Sequence, residues 1–511
     1  MNGKIRRFWP VFFLLPALLL SACKNNGAAP TPAATDWHSG VKTDYSKLAS
    51  YTAPAEKYTR LKDGPLTALT PSASYGRLLP YAGQPLYTDS GYVLTYSYGL
   101  ITESGMIVTD PIYESVYEGY GYQYGRYDGV DTAKAYNLSK IIGTIDEDNP
   151  HESIRYAACA LDGSWITPFD YQHIIYMANV MLLVRNDDKN DIDVMNYSGK
   201  LLYNIKALSC YDLLPSDASY TFQYGGGFLA VKLDDGNAAY IDATTGKVTY
   251  TAYTDAYGFS EGYAAVQKDG LYGYISTDFS MLITPQFKDA QPFVSGKAIV
   301  MLADGTYAVI DTGGKTLIKN NYAISLWGNG IYSFNDGSYN QTYYDSNFKK
   351  ISPDNPEAIL ISDGWFYAKT NDGTVLSKGS EKHTYPGDLD IGAVVDGLVS
   401  YNVYNADSWS EGVMTLDGKT VIPLTTSANI QIAQSASGQI FFIINEYGDY
   451  VDALAYQILT RDGKTIAAGT GYANFDTTLD LFEINSDMSY AYLNTAGADV
   501  FRLSHLAYMP D

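Results

Sequence analysis

Two stretches of this 511-residue chain decide its fold: Tyr272–Ile283 (YGYISTDFSMLI) and Tyr307–Ile318 (YAVIDTGGKTLI). Each begins with alternating apolar residues, passes through a short polar segment and ends in apolar residues, which is typical of a strand, a tight turn and a second strand. Asp and Gly are expected in such turns because the turns place residues at positive φ. Since the two stretches align with each other, the sequence predicts a repeated β-hairpin.

The last apolar residue before each turn measures the repeat. The steps are 34, 35 and 34 residues across Ile241, Ile275, Ile310 and Tyr344. The pattern continues more loosely on both sides, so that about eleven units are expected in the chain. A third strand such as Lys297–Leu302 (KAIVML) makes each unit a three-stranded antiparallel meander. Because one meander cannot bury both of its faces alone, neighbouring units must stack.

The predicted fold class is therefore all-β, with tandem meander repeats over residues 46–511 that are best defined over 240–350. Propeller-like stacking is favoured, and an open β-superhelix is the alternative. A propeller closes with about four to eight blades, so the units do not fit one ring at one unit per blade. Two rings, or units merged into larger blades, also stay open. A weak helical period occurs only over Thr132–Ile142.

Residues 1–22 predict a signal peptide. Three basic residues precede Phe8–Leu20, an apolar run of 13 residues. Such a run is shorter than the roughly 20 residues that span a membrane. It ends in Leu20-Ser21-Ala22-Cys23, which resembles the lipobox of bacterial lipoproteins. The resemblance implies cleavage before Cys23 and attachment of a diacylglyceryl group to its sulfur. The alternative is an ordinary secretory signal with an incidental Cys.

The segment after the signal peptide has the composition of a linker. Residues 23–45 begin with the cysteine and continue through small, polar and proline-containing sequence, which predicts a flexible tether. Acyl chains hold a protein at a bilayer by burying CH₂ groups. We therefore expect a protein that is exported, anchored by lipid to the bacterial cell membrane and facing outside the cytoplasm.

Composition and cysteine content narrow the function classes. The chain has 56 acidic and 34 basic residues, a formal net charge of −22, which argues against nucleic-acid binding. Cys159 and Cys210 remain beside Cys23. In an exported protein they can form a disulfide or stay as two buried thiols, and both alternatives are open.

Three elements of the repeat carry a resemblance to a known family: Phe259–Val266 (FSEGYAAV), Gly270–Ile275 (GLYGYI) and Ile283–Phe287 (ITPQF). They resemble the WG-containing repeat of bacterial proteins, whose pattern runs roughly F-S-E-G-x-A-x-V, W-G-Y-I-D, G-K, I-x-P-x-Y. Tyr272 stands where the family's Trp usually sits. The resemblance is close over 259–302 and implies an all-β surface or interaction protein without family catalytic residues.

No assembled catalytic or metal-binding set is visible in the sequence. Ser260 lies in GFSEG, which matches the G-x-S-x-G nucleophile elbow, but that motif needs a strand-to-helix turn. Asp187–Asp193 lacks the Gly of a calcium loop and predicts a solvated turn. The histidines show no zinc-type spacing; they are His38, His151, His173, His383 and His505. We expect neither catalysis, nor a metal, nor a cofactor.

The predicted function is the presentation of a binding or interaction surface to a protein or glycan partner. One alternative is the binding of cell-wall or extracellular glycan, for which Tyr117–Gly129 (YEGYGYQYGRYDG) is the first candidate. Rows of tyrosine suit glycan and protein surfaces, although strand and loop packing also explains them. A second alternative is a propeller-based hydrolase, which requires a pocket with two facing carboxylates from distant units.

Overall fold

The computed structural model describes a large part of the chain. The described residues are 68–72, 75–87, 93–121, 133–141, 154–185, 191–205, 210–211, 224–233, 235–328, 330–338, 340–355, 357–361, 364–404, 409–447, 453–477, 479–486 and 489–504. Within these ranges the regular elements are 41 β-strands. No helix in these ranges is long and apolar enough to cross a membrane. The predicted signal peptide, Cys23 and the tether lie outside the described residues.

The strands form antiparallel sheets that follow one another along the chain, and we number the sheets in that order. The first sheet has two strands, the second seven, the third five, and the fourth and fifth four each. Their strands are β1 (Leu78–Tyr87) and β2 (Val93–Thr102); β3 (Ser115–Tyr120), β4 (Ala133–Ile141), β5 (Ile154–Cys159), β6 (Tyr171–Tyr176), β7 (Val180–Arg185), β8 (Ile192–Asn196) and β9 (Leu201–Asn204); β10 (Cys210–Tyr211), β11 (Tyr224–Gly225), β12 (Phe228–Leu233), β13 (Ala238–Asp242) and β14 (Val248–Tyr250); β15 (Asp255–Ala256), β16 (Tyr263–Lys268), β17 (Leu271–Ser276) and β18 (Met281–Phe287); and β19 (Asp289–Ala290), β20 (Lys297–Met301), β21 (Tyr307–Asp311) and β22 (Thr316–Asn320).

The second half of the chain is more regular. The sixth sheet has three strands and the seventh to tenth sheets have four each. Their strands are β23 (Ile324–Trp327), β24 (Ile331–Asn335) and β25 (Gln341–Tyr344); β26 (Ile359–Leu360), β27 (Phe366–Thr370), β28 (Gly373–Lys378) and β29 (Glu381–Tyr385); β30 (Asp390–Val395), β31 (Leu398–Tyr404), β32 (Trp409–Thr415) and β33 (Thr420–Thr426); β34 (Ala428–Gln434), β35 (Ile440–Tyr447), β36 (Ala453–Thr460) and β37 (Thr465–Thr470); and β38 (Tyr472–Asp476), β39 (Leu481–Asn485), β40 (Ser489–Leu493) and β41 (Asp499–Ser504).

The all-β prediction is confirmed, and the strands pair in the predicted order. In the fifth sheet, Lys297 on β20 pairs with Asp311 on β21, and Ile310 on β21 pairs with Thr316 on β22. Most sheets add a fourth strand to the expected three. The weak helical period over Thr132–Ile142 is a wrong indication. Strand β4 occupies the described part of this segment, Ala133–Ile141, because its pairing with β3 and β5 outweighs the local pattern.

Two kinds of turn join the hairpins. In the first kind, Oδ1 of Asp311 accepts a hydrogen bond from the backbone N–H of Lys315 at 2.9 Å, and Gly314 takes the positive φ of 80°. In this kind only the Gly has positive φ, and the Asp side chain serves as a hydrogen-bond acceptor, so the expected positive φ at Asp applies to the second kind alone. In the second kind, Asp269 and Gly270 both have positive φ, 54° and 79°.

The hydrophobic core lies between neighbouring sheets. Tyr274 and Ile275 are adjacent on β17 and therefore point to opposite faces. Ile275 packs against the third sheet, whereas Tyr274 packs against the fifth sheet beside Phe293. Both faces of the fourth sheet are thus buried, as the stacking argument requires.

The series of stacked sheets closes on itself, because the last sheet packs against the first. Buried clusters or ring contacts join each sheet to the next one along the chain. The tenth sheet then packs against the first, where the rings of Tyr81 and Phe501 lie 5.9 Å apart. The hydroxyl of Tyr492 donates a hydrogen bond to the carbonyl oxygen of Pro80 at 3.1 Å. The described sheets therefore form one closed, propeller-like series, larger than the four to eight blades assumed above.

Candidate functional site

A cavity of about 370 Å³ lies where the tenth sheet meets the first two sheets. We call it the seam pocket. The residues that line it are Pro80, Tyr98, Val116, Tyr117, Glu118, Tyr120, Tyr136, Asp476, Leu479, Glu483, Tyr490 and Tyr492. Both ends of the described chain contribute to this lining, so the pocket exists only because the series of sheets closes.

On the C-terminal side, strand pairing places a carboxylate and two tyrosines on one face. Tyr490 and Tyr492 are two residues apart on β40 and therefore share a face. Glu483 on β39 is the register partner of Tyr492. The hydroxyl of Tyr490 donates to Oε1 of Glu483 at 2.6 Å, and the two tyrosine hydroxyls lie 3.1 Å apart.

The N-terminal side repeats this arrangement with different strands. Glu118 on β3 is the register partner of Tyr136 on β4, and Tyr120 follows Glu118 by two residues. The hydroxyl of Tyr120 donates to Oε2 of Glu118 at 2.7 Å, and the guanidinium of Arg77 forms an ion pair with the same carboxylate. Tyr117 and Tyr120 are among the lining residues and are 64% and 43% exposed.

The electrostatics of the pocket are acidic. Among its described lining residues are the carboxylates of Glu118, Asp476 and Glu483, and no Lys, Arg or His. Burial raises the pKa of Glu483, and the nearby charge of Asp476 adds to this effect, although the hydrogen bond from Tyr490 opposes it. Carboxylates and tyrosine hydroxyls together can accept and donate hydrogen bonds to a polar ligand.

The tyrosine-rich segment singled out in the sequence contributes part of the lining of this pocket. Tyr117 and Tyr120 belong to the Tyr117–Gly129 segment, and they line the pocket. Residues 122–129 lie outside the described residues. No sequence pattern pointed to the other side of the pocket, which is lined by Asp476, Glu483, Tyr490 and Tyr492. The alternating tyrosines of SYAYL at 489–493 resemble those of the Tyr117–Gly129 segment, but this local similarity does not indicate that the two segments are in contact.

The structure also describes the contacts of the other residues that the sequence analysis singled out as candidates. Ser260 is buried, and its hydroxyl donates to the carbonyl oxygen of Phe293 at 2.6 Å, which links the fourth and fifth sheets. In the acidic segment, Asp193 forms an ion pair with Arg185 at 2.6 Å, whereas residues 187–190 lie outside the described residues. Cys159 is a free, buried thiol, and burial raises its pKa to about 12.

The two described histidines lie on different sheets. His173 lies exposed on β6, and Nε2 of His383 is 3.0 Å from Oε1 of Glu381 on the same strand. His38, His151 and His505 lie outside the described residues, as does Cys23. In the part of the chain that the structure describes, no group of three or more His, Cys, Asp or Glu side chains could hold a metal ion.

Comparison with known proteins identifies one family of repeats that is similar to part of this chain. A family model described as "WG containing repeat" matches residues 240–272 and 272–307. No curated protein matches the chain. Among solved structures, a eukaryotic initiation factor is 10% identical, with 77% of this chain and 96% of that chain covered and a TM-score of 0.36. BamB from Moraxella catarrhalis is 10% identical, with 64% and 94% covered and a TM-score of 0.24. This chain is thus an all-β repeat protein with WG-containing repeats at residues 240–307.

Proposed function

We propose that this protein is an exported, lipid-anchored repeat protein that binds a glycan in the seam pocket. The observation that carries the proposal is the lining of that pocket, which combines tyrosine rings with carboxylates from both ends of the array. Tyrosine offers an apolar ring face together with a hydroxyl that can donate and accept hydrogen bonds. Carboxylates accept hydrogen bonds from sugar hydroxyls, so the two side-chain types suit a ligand with apolar ring faces and polar edges.

The size and position of the pocket support the same proposal. Its volume of about 370 Å³ falls at the lower end of the range of small-ligand sites, roughly 300–1,000 Å³. The exposed side chain of Tyr120, whose hydroxyl is hydrogen-bonded to Glu118, can extend the contact to a longer oligosaccharide. The lipobox at Leu20–Cys23 and the linker composition of residues 23–45 would keep this site close to the cell surface.

A binding measurement tests the proposal. The full-length protein, solubilised in a polyoxyethylene detergent that has no sugar headgroup, is screened on an array of bacterial and plant oligosaccharides. Hits are measured by isothermal titration calorimetry. The double variant Y117A/Y120A is expected to lose affinity about tenfold, because each aromatic contact contributes roughly 0.5–1.5 kcal/mol and about 1.4 kcal/mol corresponds to a factor of ten.

The matched control is Y250A. Tyr250 is 68% exposed on β14 in the third sheet and does not line the seam pocket. Its loss should leave glycan affinity unchanged. If Y117A/Y120A binds every ligand of the array as the unchanged protein does, the seam pocket is not the glycan site.

A hydrolase is the second candidate function, because the structure brings carboxylates from distant units into one pocket. Glu483 has a raised pKa, as a general acid requires, and Asp476 lines the same cavity. The expectation of no catalysis is tested by incubating oligosaccharides with the protein and analysing the products by mass spectrometry. Cleavage that disappears in E483Q would establish the hydrolase, and intact oligosaccharides in both samples would support the binding function.

A further inference from the structure

We infer that a second cavity of this protein binds an organic ligand through a phosphate group. The cavity has a volume of about 650 Å³ and lies between the sixth and the seventh sheets. We call it the lysine pocket, because Lys349, Lys350 and Lys382 contribute to its lining. It shares no lining residue with the seam pocket, so the inference is independent of the proposed function.

The lysine pocket forms where the sixth sheet lacks a fourth strand. The fourth and fifth sheets and the seventh to tenth sheets have four strands each, whereas the sixth ends with its third strand, β25. Residues 349–355, which follow this strand, line one side of the cavity, and strands β27, β28 and β29 of the seventh sheet line the other. The volume falls within the roughly 300–1,000 Å³ of small-ligand sites.

The lining is basic, although the protein is acidic. It contains three lysines and two carboxylates, whereas the chain has a formal net charge of −22. Both carboxylates already have partners. Asp354 forms an ion pair with Lys350 at 2.8 Å, and Oε1 of Glu381 lies 3.0 Å from Nε2 of His383. The lining therefore has an excess of positive charge that an anion would match.

Two lysines are available to such an anion. Within the part of the chain that the structure describes, the ammonium groups of Lys349 and Lys382 form no ion pair or hydrogen bond, and neither do the hydroxyls of Ser377 and Ser380. Ser377 on β28 is the register partner of Lys382 on β29, so their side chains share one face of the seventh sheet. Lys349 belongs to the opposite side of the cavity, so donors are present on both sides.

A phosphate group suits these donors. It carries about two negative charges at neutral pH and has three strong acceptor oxygens, and lysine is a common phosphate-binding residue. The apolar lining favours an organic ligand over the bare ion. Ala368 and Val375, which are register partners, line the cavity together with Ile351. The cavity is also much larger than one phosphate ion, so there is room for the organic part.

Three sugars that differ in charge test the inference. Glucose 6-phosphate, glucuronate and glucose are titrated at neutral pH into the full-length protein in polyoxyethylene detergent, and affinities are measured by isothermal titration calorimetry. Glucose 6-phosphate is expected to bind at least about tenfold more tightly than the other two, because its phosphate makes charge-assisted hydrogen bonds to both sides of the cavity.

Two lysine variants assign the binding to this cavity. K349Q and K382Q should each weaken the binding of glucose 6-phosphate about tenfold, the loss expected when one charge-assisted hydrogen bond is removed. The matched control is K315Q. The backbone N–H groups of Lys315 and Lys349 each donate to the Asp of the same type of turn at 2.9 Å, but Lys315 does not line the cavity. Its loss should leave the affinity unchanged.

Every other result contradicts the inference. If glucose 6-phosphate does not bind, or binds no more tightly than glucose, the cavity is not a phosphate site. Equal affinity for glucuronate overturns the assignment to phosphate. If K349Q and K382Q bind glucose 6-phosphate as K315Q does, the phosphate binds elsewhere on the protein. All three lysines are exposed, and thermal melting checks that the variants fold.

Discussion

The buried carboxyl of Glu411 gives a quantitative prediction about pH and stability. Glu411 lies on β32 in the eighth sheet and is 7% exposed. Its Oε2 accepts a hydrogen bond from the backbone N–H of Ile430 on β34 at 3.0 Å, so it bridges the eighth and ninth sheets. Burial raises its pKa from an ordinary value of 4.5 to about 7, although the hydrogen bond from Ile430 opposes the shift.

The raised pKa fixes the sign of the pH dependence. At a pH below 4.5, Glu411 is protonated in both the folded and the unfolded chain, and the stabilising contribution of the bound proton is fully present. As the pH rises from 4.5 to 7, the unfolded chain ionises first and this contribution is lost. Since one pKa unit corresponds to about 1.4 kcal/mol, the loss above pH 7 is on the order of 3 kcal/mol.

The substitution E411Q removes the ionisation and keeps an acceptor for Ile430. An amide already serves this purpose one sheet further on, where Asn445 accepts from the N–H of Ala473 at 2.8 Å and donates to its carbonyl oxygen at 2.9 Å. At pH 8 we expect E411Q to unfold at a higher urea concentration than the unchanged protein, with a free energy of unfolding larger by on the order of 3 kcal/mol. At pH 4.5 the two proteins should differ little.

The control for this experiment is E357Q, because Glu357 is exposed and its loss should have no pH-dependent effect. Urea unfolding of the three proteins is followed by tyrosine fluorescence and circular dichroism across this pH range. If the difference between E411Q and the unchanged protein is the same at pH 4.5 and pH 8, Glu411 does not titrate as its burial requires and the reasoning is refuted.

Three further predictions concern the anchor, the closure and the core. C23A should shift the protein from the membrane to the soluble fraction after cell fractionation, and unchanged retention would refute lipidation as the anchor. Y492F removes the hydrogen bond to Pro80 and should lower the free energy of unfolding by about 1 kcal/mol, whereas Y250F, at an exposed position, should leave it unchanged. If Y492F and the unchanged protein have equal urea midpoints, this hydrogen bond does not stabilise the closure of the array. Phe293 is fully buried, and its ring centroid lies 4.8 Å from that of Tyr274. F293A leaves a cavity there and should lower the free energy of unfolding, measured in urea, by about 3–5 kcal/mol. A decrease below about 1 kcal/mol would contradict tight packing at this position.

The sequence predicted the local architecture because the relevant interactions span few residues. The alternation on β17 assigns Tyr274 and Ile275 to opposite faces, and the structure buries both. The positive φ of Gly314 follows from turn chemistry within five residues. The segment that became β4 was less clear, because its pattern is compatible with a helix and the decision came from pairing with β3 and β5.

What the sequence alone determined is the repeated hairpin, the burial of both faces of each unit and the tyrosine-rich segment that begins at Tyr117. What only the tertiary structure decided is the closure of the array and the second side of the seam pocket. Glu118 and Glu483 are 365 positions apart. They line one cavity because small rotations between stacked sheets add up around the array until the last sheet meets the first. Local sequence patterns do not determine this accumulated rotation, so the pocket can be identified only from the tertiary structure.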